Sequence, residues 1–355
     1  MKSPLLGGLT ARDFLRRYWQ KRPLFVRDAL PQFHGVVDAR TLSGLAARDD
    51  VESRIVERRG KRRETAHGPF SVARSISLKP NSTILVNGVN HHVAAADALL
   101  QRFSFVPQAR LDDVMVSYAT PGGGVGPHID RYDVFLVQGP GRRLWRVEGK
   151  RYLAQAGDLL YLPPGVRHDG VALDRCFTYS IGFRAPRGTE LGAAFLDWLH
   201  ERGLPDADYR DAGMKPAARP GELPTEIISF ADALLARVRW SRRDVVRFVG
   251  EYLSEPKPHV VFGAGRGRQT CATSIVRLDA RARLLYRGRR FFLNGESFDL
   301  SAKRAAGLRP LADHRVADGA RLARAGLGSL ISRWQRLGYA HLEKRKAGET
   351  LPRTP

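Results

Sequence analysis

Residues 117–147 read SYATPGGGVGPHIDRYDVFLVQGPGRRLWRV. The apolar run that enters this stretch, 114–118, is followed by others at 134–138, 144–147, 159–162 and 177–183, with turns at 121–124, 139–141 and 163–165. Short strands at even spacing, punctuated by glycine and proline, predict an antiparallel sandwich or jelly-roll barrel. Upstream, Thr10 can cap a helix in which Phe14, Leu15, Tyr18 and Trp19 share a face, and this reads as a docking helix. Residues 23–90 are mixed α+β text, with a helix at 41–47, a polar turn at 59–63 and a strand at 83–87, and a further helix is expected over 94–103. Downstream, Thr189 is placed as the cap of a helix over 190–201. Residues 204–224 read as a linker, and helices follow at 225–240 and 242–253, the second capped by Ser241. Residues 254–271 are expected to be a loop. Strands at 283–287 and 290–293 then meet the hairpin signal Asn294-Gly295, with 297–300 returning. Helices at 302–308 and 326–337 complete a winged-helix-like module, and 344–355 is expected to be a frayed tail.

The same central stretch carries the chemistry. His128 and Asp130 are two apart, so on extended backbone both side chains leave one side of the strand. The glycines at 122–124 let the chain bend just before them. Residues 157–168, GDLLYLPPGVRH, run through a strand and a Pro-Pro-Gly turn that delivers His168. Two histidines and one carboxylate make a facial triad suited to iron(II), which keeps three coordination positions open for a bidentate cosubstrate and dioxygen. Arg143 opens the strand that follows. A guanidinium there can hold the distal carboxylate of 2-oxoglutarate through two parallel hydrogen bonds. Alternation separates Arg143 from Arg142 and leaves Arg142 and Arg146 as surface charges, although choosing Arg143 over Arg142 leans partly on the resemblance below. His34, His67, His91, His92, His200, His259, His314 and His341 read as structural, Asp169 as solvated, and Cys176 and Cys271 as small apolar residues.

The run 114–147, the 157–168 segment, YSIGFRAP at 179–186 and DFLRRYWQKRPL at 13–24 together resemble the bacterial JmjC-type ribosomal oxygenases, the ribosomal protein L16 arginine hydroxylase family of the cupin superfamily. The resemblance is specific over about residues 10–200 and rests on element order beyond that. It implies an α+β fold with a double-stranded β-helix catalytic domain over 1–187, a helical dimerisation region over 188–255 and a winged-helix-like domain over 256–355. It further implies that His128, Asp130 and His168 bind iron(II), that Arg143 anchors 2-oxoglutarate with Ser117 nearby, and that dioxygen is the oxidant. Asp113, Met115, Tyr132 and Ser180 occupy the places of the family's substrate-arginine slot. That placement is physically sensible, because a guanidinium leaving water needs a carboxylate and its methylene stem needs an apolar wall. Asp113 capping a turn, Met115 in core packing and Tyr132 on the barrel rim stay open as alternatives. Thr178 stands where asparagine would face the cosubstrate, and the connector between Arg146 and Gly157 is shorter than the family pattern.

Composition bounds the rest. Among 355 residues, 59 are Lys or Arg and 36 Asp or Glu, giving +23, with the excess spread over both halves. Such a charge raises the local concentration of polyanions, so a ribosomal RNA contact is an expectation beside L16 or another ribosomal protein as substrate. Two distant cysteines argue against a disulfide framework, and no apolar run is long enough for a signal peptide or a membrane span, which places the protein in the cytoplasm. The apolar helical segments 191–199 and 227–249 are the expected homodimer contacts. The rival reading is a non-catalytic cupin whose winged-helix module grips nucleic acid through Arg287, Arg289 and Arg290.

Overall fold

The computed structural model describes residues 3–60, 62–265 and 274–344. The Thr10 side chain accepts the Asp13 N–H and so starts α1 (Ala11–Arg17), which drives Phe14 into the core against Phe135 and Tyr161. Next come β1 (Leu24–Val26), α2 (Ala39–Ala46), the hairpin β2 (Ser53–Arg59) and β3 (Arg62–His67), α3 (Val72–Ile76), β4 (Ser82–Val86) and α4 (Ala94–Gln101). The polar turn expected at 59–63 is the tip of that hairpin, whose outer strand, RRETAH, has no apolar alternation to announce it.

The barrel is built from β5 (Leu111–Ala119), β6 (His128–Ile129), β7 (Val134–Gln138), β8 (Arg143–Val147), β9 (Lys150–Ala154), β10 (Leu159–Leu162), β11 (Arg167–Ala172) and β12 (Cys176–Phe183). An eight-stranded sheet, ordered β1-β10-β7-β12-β5-β4-β2-β3, faces a four-stranded sheet, β6-β11-β8-β9, which makes a double-stranded β-helix. All five expected strands are present. The short connector after Arg146 is a tight hairpin, with Glu148 and Gly149 both at positive φ and β9 on its far side. Cys176 is buried as a small apolar residue, whereas Cys271 lies outside the described residues.

Helix α5 (Gly188–His200) begins two residues earlier than expected. Its N-cap is Arg187, whose N–H is met by the Glu190 carboxylate, and Thr189 lies inside the first turn. Residues 204–224 carry no regular element other than turns. Helix α6 (Thr225–Leu235) stops short of Trp240, and α7 (Arg242–Ser254) has the expected Ser241 cap. The C-terminal module contains β13 (Ser274–Leu278), β14 (Leu284–Arg287), β15 (Arg290–Leu293), β16 (Glu296–Asp299), α8 (Ala302–His314), β17 (Val316–Asp318), α9 (Gly319–Arg324), α10 (Gly328–Arg336) and β18 (Ala340–Lys344). Asn294 and Gly295 turn the β15–β16 hairpin with positive φ at both positions. Helix α8 runs six residues past its expected end, through Pro310. The Ala306 carbonyl that the proline cannot serve accepts from the Arg321 guanidinium instead. The loop expected at 254–271 is irregular as far as 265; its remainder, and the tail beyond Lys344, lie outside the described residues. Among the described residues no helix is long and apolar enough to cross a membrane.

Candidate active site

Strand pairing brings the two histidines together. His168 on β11 is the direct antiparallel partner of His128 on β6, and their rings lie 4.1 Å apart. Glycine makes that pairing possible, because a Cβ at Gly124 would come within 2.3 Å of the Gly170 carbonyl oxygen. Asp130 follows β6 directly. Its Oδ2 stands 3.8 Å from Nε2 of His128 and 3.6 Å from Nε2 of His168. Each imidazole Nδ1 lies at a carbonyl two residues earlier, Gly126 at 2.9 Å and Val166 at 3.0 Å. A carbonyl can only accept, so both Nδ1 atoms carry the proton and both Nε2 lone pairs face Asp130. Burial, with the nearby His128, holds the His168 imidazole below its usual pKa and therefore neutral. The three donor atoms lie within 4.8 Å of one another, which fits a single metal ion. One carboxylate with two imidazoles is the donor set of non-haem iron(II).

Arg143 lies on β8, on the same face as Trp145, and its side chain lines the cavity that contains the triad. It is 5 % exposed, its guanidinium sits 5.6 Å from the Trp145 ring, and its Nε and Nη2 have no hydrogen-bond partner. A buried guanidinium with two unmet donors is suited to holding a carboxylate. Arg142 and Arg146, by contrast, point outward and pair with Asp174 and Asp169. Asp169 is therefore ion-paired across the β8–β11 ladder and not simply solvated.

The cavity measures about 600 Å³. Asp113, Met115 and Ser117 alternate along one face of β5, while Thr178 and Ser180 stand on β12 opposite Ser117 and Met115. Tyr132 closes the rim. Its phenol is pushed up to about 12 by burial and by the charges of Asp130 and Asp113, so it stays protonated. Thr178 is engaged with the Gln138 side chain at 3.2 Å. All the residues expected at the site thus line one cavity.

The sequence reading missed what surrounds Asp113. Its Oδ2 accepts the Gly88 N–H at 3.1 Å and the Lys257 ammonium at 2.9 Å. Lys257 also meets Asp112 at 3.2 Å, and Arg184 and Arg283 approach Asp112 from other sides. Burial pushes the Asp113 carboxyl up, against the pull of Lys257, whereas Lys257, Arg184 and Arg283 outweigh burial and hold Asp112 low. Oδ1 of Asp113 accepts no hydrogen bond among the described residues and lies toward Gly182, where a Cβ would stand 3.6 Å from it. No spacing in the sequence links Lys257 to β5. Trp145 was findable, since it is two residues from Arg143 and so shares its face.

Among the histidines read as structural, His341 has a partner that the sequence did not announce. His341 is 2.8 Å from Asp279, although residues 62 apart give no local signal of pairing.

Barrel, triad and buried guanidinium define an iron(II)- and 2-oxoglutarate-dependent oxygenase, with dioxygen as the oxidant. The chain matches the JmjC domain over residues 98–156 and 150–191 and the ROXA-like winged helix over 237–339. It is 36% identical over 268 residues to the ribosomal protein uL16 3-hydroxylase of Escherichia coli K12, covering 69% of this chain and 71% of that protein. The probable ribosomal oxygenase of Haemophilus influenzae is 35% identical over 208 residues, 52% of either chain. The solved structure of the E. coli ribosomal oxygenase YcfD in complex with cobalt and 2-oxoglutarate superposes with a TM-score of 0.80 at 31% identity, covering 94% of this chain and 98% of that one. The chain belongs to the JmjC ribosomal oxygenase family.

Proposed function

We propose that this enzyme hydroxylates the β-carbon of an arginine side chain in ribosomal protein uL16. His128, Asp130 and His168 hold the iron(II), and Arg143 takes the distal carboxylate of 2-oxoglutarate. With iron bound, dioxygen and 2-oxoglutarate supply the oxidising chemistry: one oxygen atom enters the substrate C–H bond, and the other leaves in succinate as carbon dioxide is released. The protein's own part is positioning. The Gly126 and Val166 carbonyls fix the two imidazoles in the tautomer that presents Nε2 inward. Arg143 sets the depth and direction of the cosubstrate from the cavity wall.

The observation that carries the choice of arginine is the Asp113 carboxylate in the cavity lining, whose Oδ1 accepts no hydrogen bond among the described residues. Lys257 and Gly88 satisfy Oδ2, which leaves Oδ1 to accept from a guanidinium. Met115 and Tyr132 can flank the methylene stem, and the Ser180 hydroxyl can accept from the guanidinium. An arriving cation favours the ionised Asp113 and offsets the burial that pushes its carboxyl up. In this reading residues 1–187 carry the chemistry and 256–355 form the winged-helix module. Residues 188–255 pair two copies, through faces on which Leu196, Ile228 and Leu235 stand exposed, and the enzyme works in the cytoplasm where ribosomal proteins are made. The experiment is mass spectrometry of recombinant uL16 incubated with enzyme, iron(II) and 2-oxoglutarate. One added oxygen on an arginine is expected, and an unmodified protein alongside uncoupled succinate production would count against uL16 as the substrate.

A further inference from the structure

The β2–β3 hairpin carries the run Arg58-Arg59-Gly60-Lys61-Arg62-Arg63. Its register sets Arg58 directly opposite Arg63 and Arg59 opposite Arg62. Like charges facing each other across a ladder destabilise it unless something compensates them. The two faces of the hairpin treat this problem differently. On the outer face, Arg59 is held by Glu57 and Glu64, each at 3.4 Å. On the inner face lie Arg54, Arg58 and Arg63, none of which has an acidic partner among the described residues; Arg58 reaches only the Asn81 amide at 3.1 Å.

The uncompensated face is the one that joins the active site. Arg54 and Arg63 line the same cavity as His128 and Asp130, and Arg131, exposed beside Asp130, adds a further guanidinium without an acidic partner among the described residues. The placement is close. Leu85 pairs with Arg54 on one side and with Ser117 on the other, so Arg54 stands two strands out from the strand carrying Asp113. Arg63 packs across Gly126, where a Cβ would meet its Cζ at 2.6 Å, two residues before His128. Beside an acidic slot suited to a basic side chain, the cavity mouth therefore carries guanidinium groups without acidic partners among the described residues, continued along the hairpin by Arg58.

We propose that this strip, Arg54, Arg58 and Arg63 with Arg131, is a phosphate-backbone site that engages RNA while the substrate side chain occupies the cavity. A phosphodiester chain presents negative charge at every nucleotide whatever its sequence, and so can meet several fixed guanidiniums at once. An acidic peptide could do so only if its carboxylates fell in register with the strip. A basic protein clasped to RNA offers both halves together, a cation for Asp113 and phosphates for the hairpin. The choice of RNA over other polyanions rests on the reading of the substrate as a ribosomal protein; the binding itself does not depend on turnover.

The test uses full-length protein and a labelled single-stranded RNA oligonucleotide, followed by fluorescence anisotropy over a salt series. The variant Arg54→Gln/Arg58→Gln/Arg63→Gln should bind roughly tenfold more weakly, with the log–log salt slope reduced by about 2, at ~0.7 for each lost single-strand phosphate contact. The all-lysine variant at the same positions should retain the slope, and so should Arg287→Gln/Arg289→Gln/Arg324→Gln on the C-terminal module. If the hairpin triple fails to fold, the exposed single change Arg63→Gln should still lower the slope by about 0.7. An unchanged slope in the hairpin variants, or its loss only in the C-terminal variant, would overturn the proposal. So would intact RNA binding accompanied by a raised KM for a uL16 peptide, since that would make the strip a reader of acidic residues in the substrate. A hairpin variant that loses RNA while uL16 remains unmodified by wild type would leave this site standing and remove uL16 as the substrate.

Discussion

Arg143→Ala should weaken 2-oxoglutarate binding by about two orders of magnitude without harming the fold. The guanidinium is 5 % exposed and two of its nitrogens lack partners, so its donors are directed at something that arrives from outside. A carboxylate seated there gains two charge-assisted hydrogen bonds, each worth about 1.5–3 kcal/mol. The alanine variant also relieves the free enzyme of an uncompensated buried cation, which places the expected loss near the lower limit of their sum, about 3 kcal/mol, or roughly 10²-fold in Kd at about 1.4 kcal/mol per decade. Arg143→Lys keeps a point charge but forfeits the paired geometry and should cost about tenfold. Calorimetric titration of 2-oxoglutarate into manganese-loaded protein measures both. The same chemistry forecasts that cosubstrate-free Arg143→Ala melts no lower than wild type. A variant that binds 2-oxoglutarate normally, or one that melts well below wild type, would show Arg143 to be a structural ion and refute the reasoning.

Three further outcomes follow from the geometry. Asp113→Asn removes the charge from the oxygen left open to substrate, so the KM for a uL16 peptide should rise about 10–100-fold while 2-oxoglutarate affinity holds; an unchanged KM would separate Asp113 from substrate recognition. Gly170→Ala sets a methyl group 2.5 Å from the Trp145 ring, which is 6.0 Å from the His168 ring, so a loss of about 1–3 kcal/mol in chemical denaturation is expected together with weaker metal binding. Finally, the hydrogen bond to Asp279 raises the His341 pKa above 6.5, so its stabilisation is full below 6.5 and is lost as pH rises through the folded value. His341 is half exposed, so His341→Ala should lower Tm slightly near pH 6 and not at all near pH 9, a gap worth at most about 1 kcal/mol. A gap that widened with pH would reverse the sign of that argument.

What the sequence disclosed followed from how local each signal was. The strands 134–138 and 159–162 are apolar but for Gln138 and bounded by turns, so they emerge at their true limits. The triad was legible because His128 and Asp130 are neighbours and because the turn before His168 has its own signature. Strands β3 and β11, by contrast, are made of polar text, RRETAH and RHDGVA, and exist because neighbouring strands supply the ladder. Helix α8 continues through a proline because Arg321, from another helix, serves the carbonyl left open. Lys257 reaches Asp113 across 144 residues, and the two faces of the arginine hairpin differ only once the register is known. Contacts of this kind are decided by topology, which no local pattern encodes.

The central claim is that three side chains and one buried guanidinium form a single site. Crystals grown without oxygen in the presence of manganese and 2-oxoglutarate test it most directly. The account predicts one metal ion bonded to Nε2 of His128, Nε2 of His168 and a carboxylate oxygen of Asp130, with the cosubstrate chelating it and its far carboxylate on Arg143. A metal bound through other residues, or 2-oxoglutarate seated away from Arg143, would contradict it.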